Sequence, residues 1–592
     1  MPDRLVWFRR ALVAALACLV LRLIGLQLWQ GSRYRDLADR NRLRVVPEAA
    51  PRGQIVDRHS RLLATTRSVF FVAAIPQEFA SESRWRWHES PHATAAASRA
   101  AVFAQLSRLV GKPAEELERR FRSQRTLPFV PATLVPEIPK LQALEVAEAH
   151  TELPGIVVDA APVRDYPLGR AAAHVIGYVG QPTEEAFPVL KQYGVRPTDA
   201  VGRSGIEQEF EAYLRGRSGG SVIEVDHRAR QVRVMGRREP AAGQTVVLTV
   251  DAKLCSLIAD QFGGRPGAAV VMRPMTGEVV ALVSVPDFDP GIFVRQDRRE
   301  LQQVLTDPES PLLDRATMGQ YMPGSIIKLL TAAVALQHRI ITPATPLPCV
   351  GFVLIGGRRF HCWNRDGHGS VTLRDALTVS CNSYFLEVGR RVGLERLRAG
   401  FQHAGLGRRT NWVLGDEPGY LPPPGRWFSE GEAALLAIGQ GEILLTPLQA
   451  AVAVSAIANG GWILQPWVVK RIGDHVVERS VGYSLEWPRD TLDVLREGML
   501  AVVNGPKGTG IQAHSDQVRI AGKTGTAQTH IPGRPNGWFV GFCPADHPLV
   551  ALAVVAEHGG SGGELPSFVA KTVCEYVAAH PDAVVDQPAD AL

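Results

Sequence analysis

The sequence predicts an α+β protein of at least two domains behind an N-terminal membrane anchor. Three observations carry that expectation. The chain opens on a long apolar run, and its 592 residues exceed what one ordinary core accommodates. In the C-terminal half, strand-like runs stand at both ends with a long helical stretch between them, the pattern of a sheet closed by distant segments and covered by helices.

The apolar run from Ala11 to about Leu28 is near bilayer length and is interrupted only by Arg22 and Gln27, so residues 11–30 are expected to form a transmembrane anchor. A charge at the bilayer centre costs about 2.5–3.5 kcal/mol, so Arg22 is expected to snorkel or to meet a partner's helix. No small-residue cleavage site follows, because Leu26-Gln-Leu-Trp-Gln-Gly31 runs straight into Ser32, which argues against a removed signal peptide. Arg4, Arg9 and Arg10 precede the span, whereas Arg33, Arg35, Arg40, Arg42 and Arg44 follow it. That count does not set the orientation, since long domains translocate largely regardless of charge.

Residues 31–243 mix short strands, turn-rich joins and charged helices such as Ala114 to Phe121 and Lys140 to Ala149, with no nucleophile constellation. Within them, Arg52-Gly-Gln-Ile-Val-Asp-Arg58 reads as a hairpin with Gly53 at the turn and the charges solvated. A second domain is expected over 244–580. Thr245 to Val250, Ala268 to Met272 and Val279 to Val285 read as strands, and the hairpin made by the last two is expected to form one antiparallel sheet with the late strands near Ile520, Trp538 and Val550 to Ala556. The Asp-, Ala- and Pro-rich tail, residues 581–592, is expected to be disordered. The net charge is +6 and the pI near 9.0, with no basic stripe interleaved with aromatics, which excludes nucleic-acid binding.

Ser325-Ile-Ile-Lys328 follows Pro323-Gly324 at the head of an apolar run, so a helix starting there is buried. Residues three apart share a helix face, which brings the Lys328 amine toward the Ser325 hydroxyl, the arrangement an activated serine needs. Unpaired N–H groups at a helix start favour negative charge at Ser325. Alone, Ser-x-x-Lys is a weak signal. Ser380-Cys381-Asn382 lies in a polar break downstream, and Lys523-Thr524-Gly525-Thr526 follows the strand-like Val518-Arg-Ile-Ala521.

In that order the three motifs resemble the penicillin-recognising serine acyltransferases, which include penicillin-binding proteins and class A β-lactamases. Further stretches extend the resemblance over nearly the whole chain. Arg52 to Arg58, Tyr178-Val-Gly-Gln181, Gly205 to Gly216 and Asp314 to Gly324 look like class B penicillin-binding proteins. Gly367-His-Gly369, Ile438-Gly-Gln-Gly-Glu442 and Glu557-His-Gly-Gly560 point to the penicillin-binding protein 2 branch, the elongation transpeptidases.

The resemblance implies a short cytoplasmic tail (1–10), an elongated pedestal or dimerisation-type domain (31–243) and a β-lactamase-like transpeptidase domain (244–580) in the periplasm of an inner-membrane protein. It implies that Ser325 attacks a carbonyl, that neutral Lys328 takes the proton, and that Ser380 relays it to the leaving amine. Asn382 would orient Lys328 and the substrate amide, and Lys523, Thr524 and Thr526 would grip the donor's terminal carboxylate. Backbone N–H groups of Ser325 and Thr526 would form the oxyanion hole. The implied reaction joins peptidoglycan stem peptides: D-Ala-D-Ala is cleaved and a neighbouring amine takes the acyl group during cell elongation, with β-lactams as inhibitors. Implied partners are the membrane, a SEDS-type glycosyltransferase and other elongation-complex proteins. Division-specific transpeptidation, D-Ala-D-Ala carboxypeptidase activity and a non-enzymatic β-lactam sensor remain as alternatives.

Cysteine placement adds a second constellation. Cys349, Cys362, His368 and Cys381 follow the pattern Cys-x12-Cys-x5-His-x12-Cys, a donor set suited to tetrahedral, structural zinc. Some members of the branch carry zinc here, with acidic residues replacing cysteines, and the resemblance supports Cys362, His368 and Cys381 more directly than Cys349. His361 is an alternative ligand. Disulfides are the competing expectation, because six cysteines lie outside the apolar run and an even number can pair.

Overall fold

The computed structural model describes residues 2–30, 32, 43–76, 91–123, 131–192, 194–197, 199–225, 231–295, 297–425, 429–478, 482–529 and 531–585. Arg33, Arg35, Arg40, Arg42 and residues 586–592 of the expected tail lie outside the described residues.

A five-stranded antiparallel sheet forms the centre of the larger compact unit. Its strands are β1 (Gly267–Met272), β2 (Val279–Val285), β3 (Ala521–Ala527), β4 (Asn536–Cys543) and β5 (Val550–Ala556), in the order β2-β1-β5-β4-β3. The expected closure of the sheet by both ends of the domain is therefore observed, with β1 pairing β5 in register from Gly267↔Ala556 to Met272↔Ala551. Strands β1, β2 and β5 are apolar runs whose single polar residue is Ser284, and all their residues are buried, which requires cover on both faces. Helices α1 (Ala252–Phe262), α2 (Lys328–Gln337), α3 (Leu373–Thr378), α4 (Asn382–Val392), α5 (Pro447–Ala458) and α6 (Leu565–Ala579) include those that supply it. α5, buried at every position, packs on β1, β4 and β5, while α1 and α6 pack together and against β2, β4 and β5. Strand β3 is an edge strand, paired only with β4 along its length, as the sequence leads one to expect for Lys523-Thr-Gly.

The strand Val246–Leu248 stands outside this sheet, pairing in parallel with Ile55–Val56 and antiparallel with Val469–Ile472. One expectation is corrected here. The tail does not begin at 581, because Pro581–Ala583 forms a 3-10 turn, with Ala583 and Val584 buried. The larger unit comprises Gly53–Thr65, Arg164–Leu214 and Gln244–Leu592, so it takes in two segments expected in the pedestal.

The smaller unit comprises Met1–Arg52, Thr66–Val163 and Arg215–Gly243. In it Leu43–Glu48, Gly219–Val225 and Gln231–Arg238 form a three-stranded antiparallel sheet. Phe103, Leu106, Leu117, Val72 and Leu134 make a second core, where helices Pro91–Val110 and Ala114–Ser123 pack beside the strand Ala132–Ile138. The N-terminal helix runs Pro2–Ile24 and continues into a π-helical turn, Gly25–Trp29. Its stretch Val6–Leu28 is long and apolar enough to cross a membrane. Residues 2–10, expected as a tail, belong to the same helix.

The Arg52 to Arg58 stretch also departs from expectation, because Asp57 and the Arg58 side chain are buried rather than solvated. Asp57 is fully buried and accepts the backbone N–H groups of His59, Arg61 and Ala252 at 2.9, 2.8 and 3.2 Å. Arg61 bridges Asp57 at 3.2 Å and Asp251 at 2.7 Å. Asp251 in turn caps α1 through the N–H groups of Lys253 and Leu254 and accepts the Tyr576 hydroxyl of α6. Arg58 pairs with buried Glu278 at 3.0 Å. An isolated buried charge is costly, so these groups stabilise only as a complete set, and the set ties Gly53–Thr65 to α1 and α6. Replacing Asp57 by Ala strands three backbone donors and leaves Arg61 only its Asp251 contact. Asp57→Ala is expected to destabilise this unit by about 3–5 kcal/mol, read as a fall in Tm of the full chain in detergent by more than about 5 °C.

Candidate active site and metal centre

Ser325 sits on a turn rather than inside an α-helix. Gly324–Ile327 is a 3-10 turn, and α2 begins only at Lys328. In a 3-10 turn residues i and i+3 eclipse, and Lys328 opens the α-helix directly after the turn. Glycines shape the seat. Gly324 has φ +56, and its N–H donates to the Gly439 carbonyl at 3.0 Å, with Gly439 itself at φ +73. A Cβ on Gly525 would stand 3.0 Å from the Pro323 carbonyl, so strand β3 lies directly against the turn. The approach to Ser325 is fixed by Tyr321, whose hydroxyl donates to Glu557 at 2.7 Å, a carboxylate that also receives Arg315 at 2.9 Å. Burial and that carboxylate push the Tyr321 phenol far up, so it stays a donor. The Trp538 indole donates to the Met322 carbonyl at 3.0 Å.

Lys328 is fully buried and donates to the Ser380 carbonyl (3.0 Å), the Ser380 hydroxyl (3.2 Å) and Asn382 Oδ1 (2.7 Å). Among the described residues none of its hydrogen bonds reaches the Ser325 hydroxyl, so the amine is held toward the second motif. Its ammonium also lies 5.6 Å from the Phe385 ring centroid. Lys523, also fully buried, donates to the Ser380 hydroxyl and the Thr524 carbonyl, each at 3.0 Å. Burial lowers Lys328 to about 8, opposed by the nearby Cys381 and Cys362 sulfurs. Lys523 is lowered well below the usual lysine range, by burial first and then by repulsion from Lys328. Ser380 has φ +53, a left-handed conformation costing a non-glycine residue about 1–3 kcal/mol, and such strain is concentrated at functional sites.

The structure thus brings Ser380, Asn382, Lys328 and Lys523 into one hydrogen-bonded network, with the Ser325 turn against β3. Thr524 is nearly buried, whereas Thr526 is exposed. Sequence reasoning missed Thr509, whose hydroxyl lies 2.6 Å from that of Thr524. Its setting, Gly505-Pro-Lys-Gly-Thr-Gly510, reads only as a turn, and no spacing rule points from it to β3.

The second constellation also converges. Cys349, Cys362, His368 and Cys381 place their ligand atoms within 4.8 Å of one another. His368 Nδ1 lies 3.4 Å from Cys349 Sγ and 3.6 Å from Cys362 Sγ. Tetrahedral zinc with Zn–S of about 2.3 Å and Zn–N of about 2.0 Å sets ligand edges of roughly 3.5–3.8 Å, so this donor set fits the ion. The hydrogen bond from Cys381 is the main cause holding Cys362 down at about 4; burial opposes it, and the backbone N–H groups of Ser383, Asn382 and Asn364 support it. The same contact raises Cys381. None of the described cysteines forms a disulfide. His361, the alternative ligand, lies in the hairpin strand Arg358–His361, paired with Phe352.

Residues 267–575 match the model of the penicillin-binding protein transpeptidase domain, and residues 47–248 that of the penicillin-binding protein dimerisation domain. The peptidoglycan D,D-transpeptidase MrdA of Acinetobacter baumannii is 30% identical over 95% of this chain and 86% of its own. Among solved structures, a Helicobacter pylori complex between penicillin-binding protein 2 and MreC aligns with TM-score 0.78 and 24% identity over 91% of this chain and 99% of that one. A chain from a structure titled for the coordination of polymerization and crosslinking by a peptidoglycan synthase complex aligns with TM-score 0.72 and 28% identity, over 97% and 98%. A dimerisation domain followed by a transpeptidase sheet with this lysine–serine network defines a penicillin-binding protein of the two-domain kind. More narrowly, the chain belongs to the class B penicillin-binding proteins, in the penicillin-binding protein 2 branch.

Proposed function

We propose that this chain is a serine-type peptidoglycan D,D-transpeptidase that cross-links stem peptides during cell elongation, with Ser325 as nucleophile. The observation that carries the reading is the Ser380 hydroxyl, which stands 3.2 Å from Lys328 Nζ and 3.0 Å from Lys523 Nζ. As an ammonium, Lys328 spends all three N–H donors on its three acceptors. Once neutral it has two donors and a lone pair, free to take the Ser325 proton as the hydroxyl attacks the penultimate D-Ala carbonyl. The tetrahedral oxyanion is received by the backbone N–H groups of Ser325 and Thr526, each such donor contributing about 3–4 kcal/mol. As the C–N bond breaks, the proton passes from Lys328 through Ser380 to the leaving D-Ala amine. Thr524, Gly525 and Thr526 hold the donor's terminal carboxylate along β3, with the Lys523 amine donating to the Ser380 hydroxyl behind them. An acceptor amine then attacks the Ser325 ester and the proton returns by the same route. A β-lactam follows the first half and leaves Ser325 acylated.

The N-terminal helix serves as a single-pass inner-membrane anchor, with the chain beyond it in the periplasm. The two solved relatives, described with MreC and within a peptidoglycan synthase complex, support partners in the elongation machinery, a SEDS-type glycosyltransferase among them. Cys349, Cys362, His368 and Cys381 hold one zinc ion. With four protein ligands the ion is structural, tethering Cys381 between Ser380 and Asn382 and leaving no open position for water.

Incubated with a D-Ala-D-Ala donor peptide and an amine acceptor, the full chain is expected to form the cross-linked peptide, and Ser325→Ala to form none; release of D-Ala to water alone would favour a carboxypeptidase. The rate of labelling by a fluorescent penicillin is expected to rise with pH and level off above about 8, because the neutral fraction of Lys328 falls about tenfold per pH unit below its pKa. Elemental analysis is expected to find about one zinc per chain, and a chelator to lower Tm and labelling together; under about a tenth of an equivalent in freshly purified protein would exclude the metal.

A further inference from the structure

Trp363 is both exposed and pinned. Its side chain is 59% exposed, so core packing does not account for so large an aromatic residue at this position. Yet its indole N–H donates to the Val379 carbonyl at 3.0 Å, and its ring meets His368 edge-on at 5.2 Å. Val379 immediately precedes Ser380, the non-glycine residue at φ +53.

The two peptide groups flanking Ser380 are tied at four points. The Val379–Ser380 peptide donates through Ser380 N–H to the Leu377 carbonyl at 3.2 Å and accepts, through the Val379 oxygen, from Trp363. The Ser380–Cys381 peptide accepts, through the Ser380 oxygen, from Lys328 at 3.0 Å and donates through Cys381 N–H to the Ala376 carbonyl at 2.9 Å. The orientations of these two planes are the φ and ψ of Ser380. Together the four bonds hold a serine where the backbone favours glycine. Two of the partners are carbonyls of α3 and one is Lys328. The fourth is a side chain on the loop that follows Cys362, and without it the Val379 carbonyl, just past the end of α3, loses its donor.

We propose that Trp363 is a positioning residue for acyl transfer: its indole N–H fixes the Val379–Ser380 peptide and thereby aims the Ser380 hydroxyl between Lys328 and Lys523. This rests on the reading of Ser380 as the proton relay. Trp363→Phe keeps a ring against His368 and removes only the N–H. Stopped-flow acylation of the full chain by a chromogenic cephalosporin separates the dissociation constant of the initial complex from the acylation rate constant. For Trp363→Phe the acylation rate constant is expected to fall about tenfold while the dissociation constant stays within about twofold, with Tm and zinc content unchanged. An acylation rate constant equal to the parent's would overturn the proposal, as would a loss matched by a fall in Tm or zinc content. Ser380→Ala, run alongside, separates the two claims. If it is impaired while Trp363→Phe is not, the positioning role alone fails; if it too acylates at the parent rate, the relay reading fails and the proposal with it.

Discussion

One hydroxyl shared by two buried amines is the constraint around which the larger unit is organised. Ser380 Oγ lies about 3 Å from both Lys328 and Lys523. Two amines so placed stand within roughly 6 Å of each other, where two unit charges repel by about 3 kcal/mol at an effective dielectric of 20. Burial adds a further penalty to each charge. The arrangement therefore favours a single proton between the two amines, with a hydroxyl between them that can accept from one and donate to the other. A proton relay needs that degeneracy, and surface lysines at their ordinary pKa would not supply it.

The scaffold meets the constraint by drawing its three parts from elements of different stiffness. Lys523 lies on β3, whose partner β4 pairs with it along its whole length and continues into fully buried β5. Lys328 opens α2, buried from Lys328 to Ala335. Ser380 has neither support, standing between α3 and α4 in a left-handed conformation. Its position depends on individual hydrogen bonds, so the least regular of the three parts is also the one that must be most exact. Around Ser325 the same problem is solved sterically: Gly324, Gly439 and Gly525 let three backbones approach where a side chain would hold them apart.

Much of this is legible in the sequence. The runs that became β1, β2 and β5 announced strands of one antiparallel sheet covered by helices, and the three motifs named the residues of the network. The seat of Ser325 was not legible, because a 3-10 turn and the first turn of an α-helix place apolar residues alike over four positions. Nor was the burial of Arg58 and Asp57. A run of charges near a glycine reads as a solvated turn unless its partners are known, and those partners, Glu278, Thr249 and Ala252, lie about 200 residues away. Thr509 was invisible for the same reason, since only the folded chain sets it beside Thr524.

Cys381 shows how two demands can be met by consecutive residues. Ser380 turns its hydroxyl to the two lysines, Asn382 turns its amide to Lys328, and the side chain between them joins Cys362 and His368 instead. The middle residue of the second motif thus takes no part in proton transfer, yet it is bound where a small shift would be felt on both neighbours. The metal tether proposed at Cys381 would act on the same backbone that the Trp363 and Lys328 bonds hold. Loss of either would leave the motif present in sequence and chemically intact, but free to relax toward an ordinary right-handed serine that no longer lies between the amines.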